Sequence, residues 1–408
     1  MKSWIEDALK KSEPSRAPPP MPTQSTAFRS ADDSELEEML KNLKTRITIF
    51  GCGGGGSNTI QRIAEGDAPT ATLVAANTDA QHLLSVRAPR KLLLGRRLTK
   101  GLGAGAVPKV GMDAALESEG EVKALVQGSD LVITCCGLGG GTGTGSIAVV
   151  SKIAKEMGAL TISFVTLPFK GEGHLRMQNA LWGLEQLRQS TDTVVVIPND
   201  NILKVAPRLP VNMAFKLADE VLMRAVTGIS QLITSPGLVN VDFNDLRTIM
   251  KDAGIGVIGL GESDAVGDNR IDEAVNAAAN SPLLDTGIDG ATGVLVNVTG
   301  GPGMTVSEAE KAIELLHGKI DPNARVIWGA RVDPELKDKL QVMIIATGVR
   351  KTEHAPISEI KQVGATQQMV RQVRPAAAPP AAAASANPGR GAPPPPPVRR
   401  PVSSIFRR

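Results

Sequence analysis

At 408 residues the chain is long enough for two ordinary domains plus tails. A formal net charge of +3 is too small to imply a nucleic-acid partner, and an aromatic content of 2% with no tyrosine leaves no stacking platform for single strands. With neither a signal-peptide pattern nor about 20 consecutive apolar residues, the chain is expected to be cytoplasmic, without a transmembrane segment.

Met1–Lys11 carries Trp4, Ile5, Ala8 and Leu9 at helical spacing, suiting either a docking helix or a frayed terminus, and a Pro/Ser-rich linker then runs to about Ser30. In Asp32–Lys44 the stripe Leu36, Met39, Leu40 and Leu43 predicts a helix packed on the first domain. Ile47–Phe50 reads as a strand, and Gly51-Cys52-Gly53-Gly54-Gly55-Gly56-Ser57-Asn58 leads from it into a helical pattern with Ile60, Ile63 and Ala64. Gly51, Gly53 and Gly56 also satisfy G-x-G-x-x-G, which suits a dinucleotide fold with an acidic residue about 20 positions on. Asp79, after the strand-like run 71–76, stands late for that role.

A second glycine run, Gly139-Gly140-Gly141-Thr142-Gly143-Thr144-Gly145, follows the apolar strand 131–136 and precedes Ile147-Ala148-Val149-Val150. Glycines leave backbone N–H groups unshielded by Cβ atoms, and a following helix N-terminus adds its positive end, so the segment reads as a polyphosphate cradle. The bland alternative is a flexible surface loop. Neither loop contains G-x-x-x-x-G-K-[ST], which excludes the lysine-bearing P-loop and leaves the nucleotide to be held mainly by backbone. Cys52, Cys135 and Cys136 adjoin these loops without C-x-x-C spacing or a nearby histidine, so they read as small hydrophobes, and no residue is assigned as a metal ligand.

Strand-like runs at 161–166 and 193–197 continue the alternation with helical patterns and predict a parallel sheet covered by helices on both faces. A long amphipathic run from about Val211 to Thr234 follows, with Pro210 suiting its first turn and Pro236-Gly237 its stop. Strand-like segments 256–260, 294–299, 326–331 and 341–347, with helical patterns near 271–279 and 306–316, predict a second, smaller α/β domain. Residues 352–400 are Ala/Pro/Gln-rich and read as a disordered tether. The tether ends in Ser404-Ile405-Phe406-Arg407-Arg408, either a peptide ligand for a partner or an ordinary charged terminus.

These loops, in this order, resemble the tubulin and FtsZ family, in its archaeal-type FtsZ branch of cell-division GTPases. The resemblance spans about residue 45 to 350 and rests on the glycine run at 139–145 together with Asn77-Thr78-Asp79-Ala80-Gln81, Lys100-Gly101-Leu102-Gly103-Ala104-Gly105, Pro168-Phe169, Glu172-Gly173, Arg176, Pro198-Asn199-Asp200 and Asn240-Val241-Asp242-Phe243-Asn244-Asp245. Ile327-Trp328-Gly329-Ala330 and Ala346-Thr347-Gly348-Val349 match the smaller domain. The fold class implied is α/β: an N-terminal extension (1–44), a parallel-sheet GTP-binding domain of tubulin/FtsZ type (45–209), a long connecting helix (210–237), a smaller α/β C-terminal, GTPase-activating domain (238–350) and a disordered tail (351–408).

The resemblance implies a site for GTP or GDP. Gly54, Gly55, Gly56, Ser57 and Asn58 would lie along the nucleotide, Gly141, Thr142 and Gly143 would hold its phosphates, and Asn199 joins the binding set. Glu172 would accept from the ribose hydroxyls beside the cation of Arg176; taken alone, the pair reads as a helix N-terminal acid and a solvated base. Phe215 and Asp219, at i and i+4, share a helix face, where a ring could stack on a base and a carboxylate accept from the neighbouring N1–H and N2 amino donors of guanine, which adenine lacks. Alone they read as a core ring and a surface charge.

The Asn240–Asp245 loop should lie about 30 Å, a helix length, from the base-binding end. By the resemblance it reaches the nucleotide of the next subunit in a head-to-tail filament, where Asp242 and Asp245 act on the attacking water and Mg²⁺ is expected on the phosphates. It also reads as an Asx turn capping a helix at Leu246–Met250, and both can hold. Partners implied are the chain itself and, through Ile405–Arg408, a division-site protein or membrane tether, with the protein at a mid-cell ring. Rival classes are a cell-shape paralogue, a dinucleotide oxidoreductase, which would not need the second glycine loop, and a nucleotide sensor, which would be expected to lack the two acids.

Overall fold

A computed structural model of the chain describes residues 45–349, apart from 67–69, 206–209, 236, 266–268, 285–286 and 289. The helices expected before residue 45 and the tether and terminal peptide expected after 350 lie outside the described residues.

The described residues open with β1 (Ile47–Cys52), α1 (Gly53–Glu65), β2 (Ala71–Asn77), α2 (Ala80–Ser85) and β3 (Arg90–Leu93). It continues through α3 (Pro108–Glu117), α4 (Glu119–Val126), β4 (Leu131–Gly137), α5 (Thr142–Glu156), β5 (Leu160–Leu167), α6 (His174–Ser190), β6 (Thr193–Pro198) and α7 (Asn199–Val205). The long helix is α8 (Val211–Thr234), with the bounds its apolar period predicted. After it come α9 (Phe243–Met250), β7 (Gly254–Ser263), α10 (Asn269–Ala279), β8 (Gly293–Gly300), α11 (Val306–His317), β9 (Arg325–Val332) and β10 (Leu340–Thr347).

β1 and β4 are apolar along almost their whole length, and they and β5 are buried on both faces, the pattern of central parallel strands. Among the described residues the strands form one sheet in the order β3-β2-β1-β4-β5-β6-β7-β10-β8-β9. The first six are parallel, and the chain reverses its direction of winding between β1 and β4, where Gly51 sits beside Cys135. Such a switch point opens a crevice at the carboxyl ends of the strands.

The predicted second α/β region has an apolar core of its own, with Ile271, Val275, Val294, Val296, Ile313 and Ile344 buried in one cluster, while its strands join the sheet of the first half. β7 pairs in parallel with β6 over Thr193–Val195, and β10 lies antiparallel between β7 and β8, so the sheet runs through both halves. A further apolar cluster is shared between the halves. Leu222, Ala225, Val226 and Ile229 of α8 are buried in one cluster with Ile133 and Phe164 of the first half and Leu295 and Ile345 of the second.

Candidate functional site

The two glycine runs meet at the switch point. Cys52 precedes α1 and Gly141 precedes α5, and neither helix has a side-chain cap or an acidic residue in its first turn. Gly53 has φ +70, and a Cβ there would stand 2.6 Å from the Gly143 nitrogen; one on Gly143 would stand 3.1 Å from the carbonyls of both Cys52 and Gly137. Only glycine lets the two helices start against each other. A Cβ on Gly54 or Gly140 would meet nothing within 4 Å, so the cradle opens on that side. Asn58, also exposed, stands one turn along α1 from Gly54.

The second loop is braced from within. Thr142 Oγ1 shares a 2.6 Å hydrogen bond with Thr78 Oγ1, and Thr144 Oγ1 accepts from the Gly139 N–H at 2.8 Å. Asp79, the candidate ribose acid of a dinucleotide fold, instead caps α2 by accepting from the His82 N–H. Ser57 Oγ and Asn199 Oδ1 are buried and find no partner among the described residues. Leaving such groups unpaired costs free energy, so bare helix termini and orphaned polar atoms together fit an anionic, polar ligand.

A second cluster lies at the start of α8. Phe169 and Phe215 meet edge to face with centroids 5.2 Å apart, and Phe215 remains 40% exposed. Asp219 is half-buried; burial pushes its carboxyl up, and Arg62 of α1, 3.9 Å away, opposes that shift. Arg62 also stands 3.7 Å from Glu220, so it ties α1 to α8. In the helical pattern after the first glycine run Arg62 looks like an ordinary surface base, and no sequence signal marked it. Glu172 Oε1 accepts from the Phe169 N–H at 2.9 Å and its other oxygen pairs with Arg176 at 3.1 Å, so the i, i+4 neighbours engage each other beside the rings. All three thiols are buried; burial pushes Cys52 up to about 12, against a hydrogen bond with Ser146, and raises Cys135 and Cys136 as well.

Asp242 and Asp245 are exposed and far from this cluster. Asp242 caps α9, accepting from the Asn244 N–H at 2.9 Å, and Asn240 Oδ1 accepts from the Gly237 N–H at 2.7 Å. The Asx-turn reading of the loop therefore holds. α9 ends beside the amino end of β6, where the Thr193 hydroxyl donates to the Met250 carbonyl. The glycine cradle sits at the opposite, carboxyl edge of the sheet. α5, with 15 residues and a length of about 22 Å, spans that separation.

Two bare, glycine-built helix N-termini at the switch point of a doubly wound sheet define a nucleotide-binding α/β protein that grips phosphate with its backbone. A model of the "Tubulin/FtsZ family, GTPase domain" matches residues 46–207, and one of the "FtsZ family, C-terminal domain" matches residues 254–350. The chain belongs to the tubulin/FtsZ family, and its activity is that family's hydrolysis of GTP. It is 52% identical over 353 residues to a protein named "Cell division protein FtsZ 1" of Archaeoglobus fulgidus, a match covering 86% of this chain and 94% of the relative. A structure described as "FtsZ dimer, empty (M. jannaschii)" superposes with a TM-score of 0.75 at 51% identity, covering 79% of this chain and 93% of that one. CetZ1 from Haloferax volcanii, GDP-bound, has a TM-score of 0.68 at 23% identity over 79% of this chain and 100% of that one, which shows a common fold.

Proposed function

We propose that this chain is a cell-division GTPase that assembles head to tail, each subunit's Asp242 and Asp245 completing the site of the next. The observation that carries the reading is the placement of cradle and acids on opposite edges of one sheet, too far apart to act on one nucleotide within a chain. Stacking subunits along that direction brings the acids of one to the cradle of its neighbour.

Within the site, the N–H groups opening α1 and α5 donate to the phosphates. Asn58, Ser57 and Asn199 offer polar side chains along the nucleotide, and Glu172 turns from its neighbours to accept from the ribose hydroxyls, with Arg176 beside it. Phe215 covers one face of the base, while the Asp219 carboxylate accepts from both guanine donors. Asp242 and Asp245 orient water for in-line attack on the γ-phosphorus and accept its proton, as GDP leaves with the bridging oxygen. Mg²⁺ would be held with the phosphates at the cradle of Gly141, Thr142 and Gly143 and would supply neutralisation of their developing charge.

Among the described residues no helix is long and apolar enough to cross a membrane. A cytoplasmic ring, recruited through Ile405–Arg408 at the end of the tether, is the placement this reading gives the protein. A cell-shape role is the rival; the 52% identity to a relative named "Cell division protein FtsZ 1" favours division.

GTP turnover per molecule should be negligible at low protein concentration and rise above a threshold with light scattering. Asp245→Ala should keep GTP binding and assembly but lose turnover by about 10²–10⁴-fold, the contribution of a positioned acid or base. Flat turnover across concentration with no polymer would place a complete site in one chain and end this reading.

A further inference from the structure

Where α9 ends, a lysine from another helix holds it. Lys155 lies in the last turn of α5, whose first turn is the phosphate cradle. Its Nζ stands 2.9 Å from Asp192 Oδ1 and 2.7 Å from Asp252 Oδ1. Asp192 is 4% exposed, and its other oxygen accepts from both the N–H and the hydroxyl of Thr161 at 2.9 Å, so this anchor is rigid.

Asp252 follows α9 by two residues and has φ +53, a left-handed conformation in which glycine is the default after a helix. A residue held there against its backbone preference invites a functional explanation. Here the conformation carries a carboxylate to Lys155. That hydrogen bond and the lysine's charge hold Asp252 below the usual carboxylate range. Burial works against the charge on Lys155, but its bonds to Asp252 and Asp192 outweigh it and raise its pKa.

Further contacts converge on the same end of α9. Arg247 Nη2 donates to the Gly158 carbonyl at 3.3 Å, the Thr193 hydroxyl to the Met250 carbonyl, and the Gly254 N–H to the Asp192 carbonyl at 3.0 Å. The opposite end, with Asp242, Asn244 and Asp245, is exposed. α9 has 8 residues and is about 12 Å long, so a tilt of about 5° at its fixed end would carry its first turn through about 1 Å. A misplacement of that size can cost about 10²-fold in rate.

We propose that Lys155 is a positioning residue for GTP hydrolysis: through Asp252 it fixes the angle at which α9 presents Asp242 and Asp245 to the neighbouring subunit. The proposal rests on the reading that those acids act across the subunit contact.

The test uses the full chain. Asp252→Gly keeps the left-handed turn and removes the carboxylate, and turnover per polymerised subunit at saturating GTP should fall about tenfold. The GTP Kd of the monomer and the thermal midpoint should stay at wild-type values. Asp252→Asn tolerates the same φ and still accepts from Lys155, so it should restore most of the turnover. Lys155→Met should reproduce the loss, although it strips buried Asp192 of its cation; Asp252→Gly guards against an unfolded variant. Turnover of Asp252→Gly within about twofold of wild type, or no recovery in Asp252→Asn, would overturn the positioning role. Asp245→Ala separates the two ideas. If it loses turnover while Asp252→Gly keeps it, only the role of Lys155 fails; if Asp245→Ala keeps full turnover, the split site fails as well.

Discussion

The two helix N-termini at the switch point are finished differently from those of the second half. α1 begins with Gly53 and α5 follows Gly141, neither with a side-chain cap, whereas α9 is capped by Asp242 and α11 by a reciprocal pair in which Thr305 Oγ1 accepts from the Glu308 N–H and Glu308 Oε2 accepts from the Thr305 N–H. A missing cap costs about 0.5–2 kcal/mol, so the first half forgoes stability at the switch point and reserves its donors for a ligand. The second half satisfies itself and is shaped for presentation rather than binding.

The largest test of this contrast puts a carboxylate where the phosphates should lie. Gly54→Asp enters open space in the first turn of α1, so the apo protein should gain a few tenths to about 1 kcal/mol from helix propensity and the dipole. GTP binding, measured by equilibrium dialysis, should fall by more than about 10²-fold through like-charge repulsion. A variant that is stabilised and still binds GTP would remove phosphate from the cradle.

A smaller effect is expected at the base. Asp219→Ala should weaken GTP binding by about 1.5–3 kcal/mol and reduce the preference over ATP. Because burial raises the Asp219 carboxyl, protonation removes the guanine acceptor at a higher pH than an exposed aspartate would need. GTP affinity should be complete above that raised value and fall as pH drops through it, while the alanine variant should lack this component. Equal GTP and ATP affinities in the unmutated protein would refute the assignment.

The smallest effect belongs to the capped half. Thr305→Ala should lower stability by about 1 kcal/mol in urea unfolding and leave GTP affinity unchanged. A loss of affinity there would mean that the halves are not divided in this way.

Much of this was legible in the sequence because steric demands are local. Central parallel strands show as continuous apolar runs, and α8 showed its period from Pro210 to its stop. β3 did not show: Arg90–Leu93 is an edge strand whose first two residues are exposed cations, and pairing with β2 is what makes it a strand. The continuity of the sheet through β6 and β7 was equally hidden, since it depends on which strands meet rather than on either strand alone. In the site, the glycine runs were readable because Gly53 and Gly143 leave no room for any other side chain. Arg62, Lys155 and Asp252 were not. Lys155 and Asp252 are 97 residues apart, and each is ordinary until the fold sets them together.

The three buried cysteines under the cradle have a practical consequence. Cys52 ends β1 while Cys135 and Cys136 lie on adjoining β4, and their raised pKa values keep them as thiols near neutral pH. Thiolate is the reactive form, so a labelling reagent must wait until these strands part and water enters. The chain thus carries, beneath its phosphate loops, a native gauge of how often the floor of the site breathes.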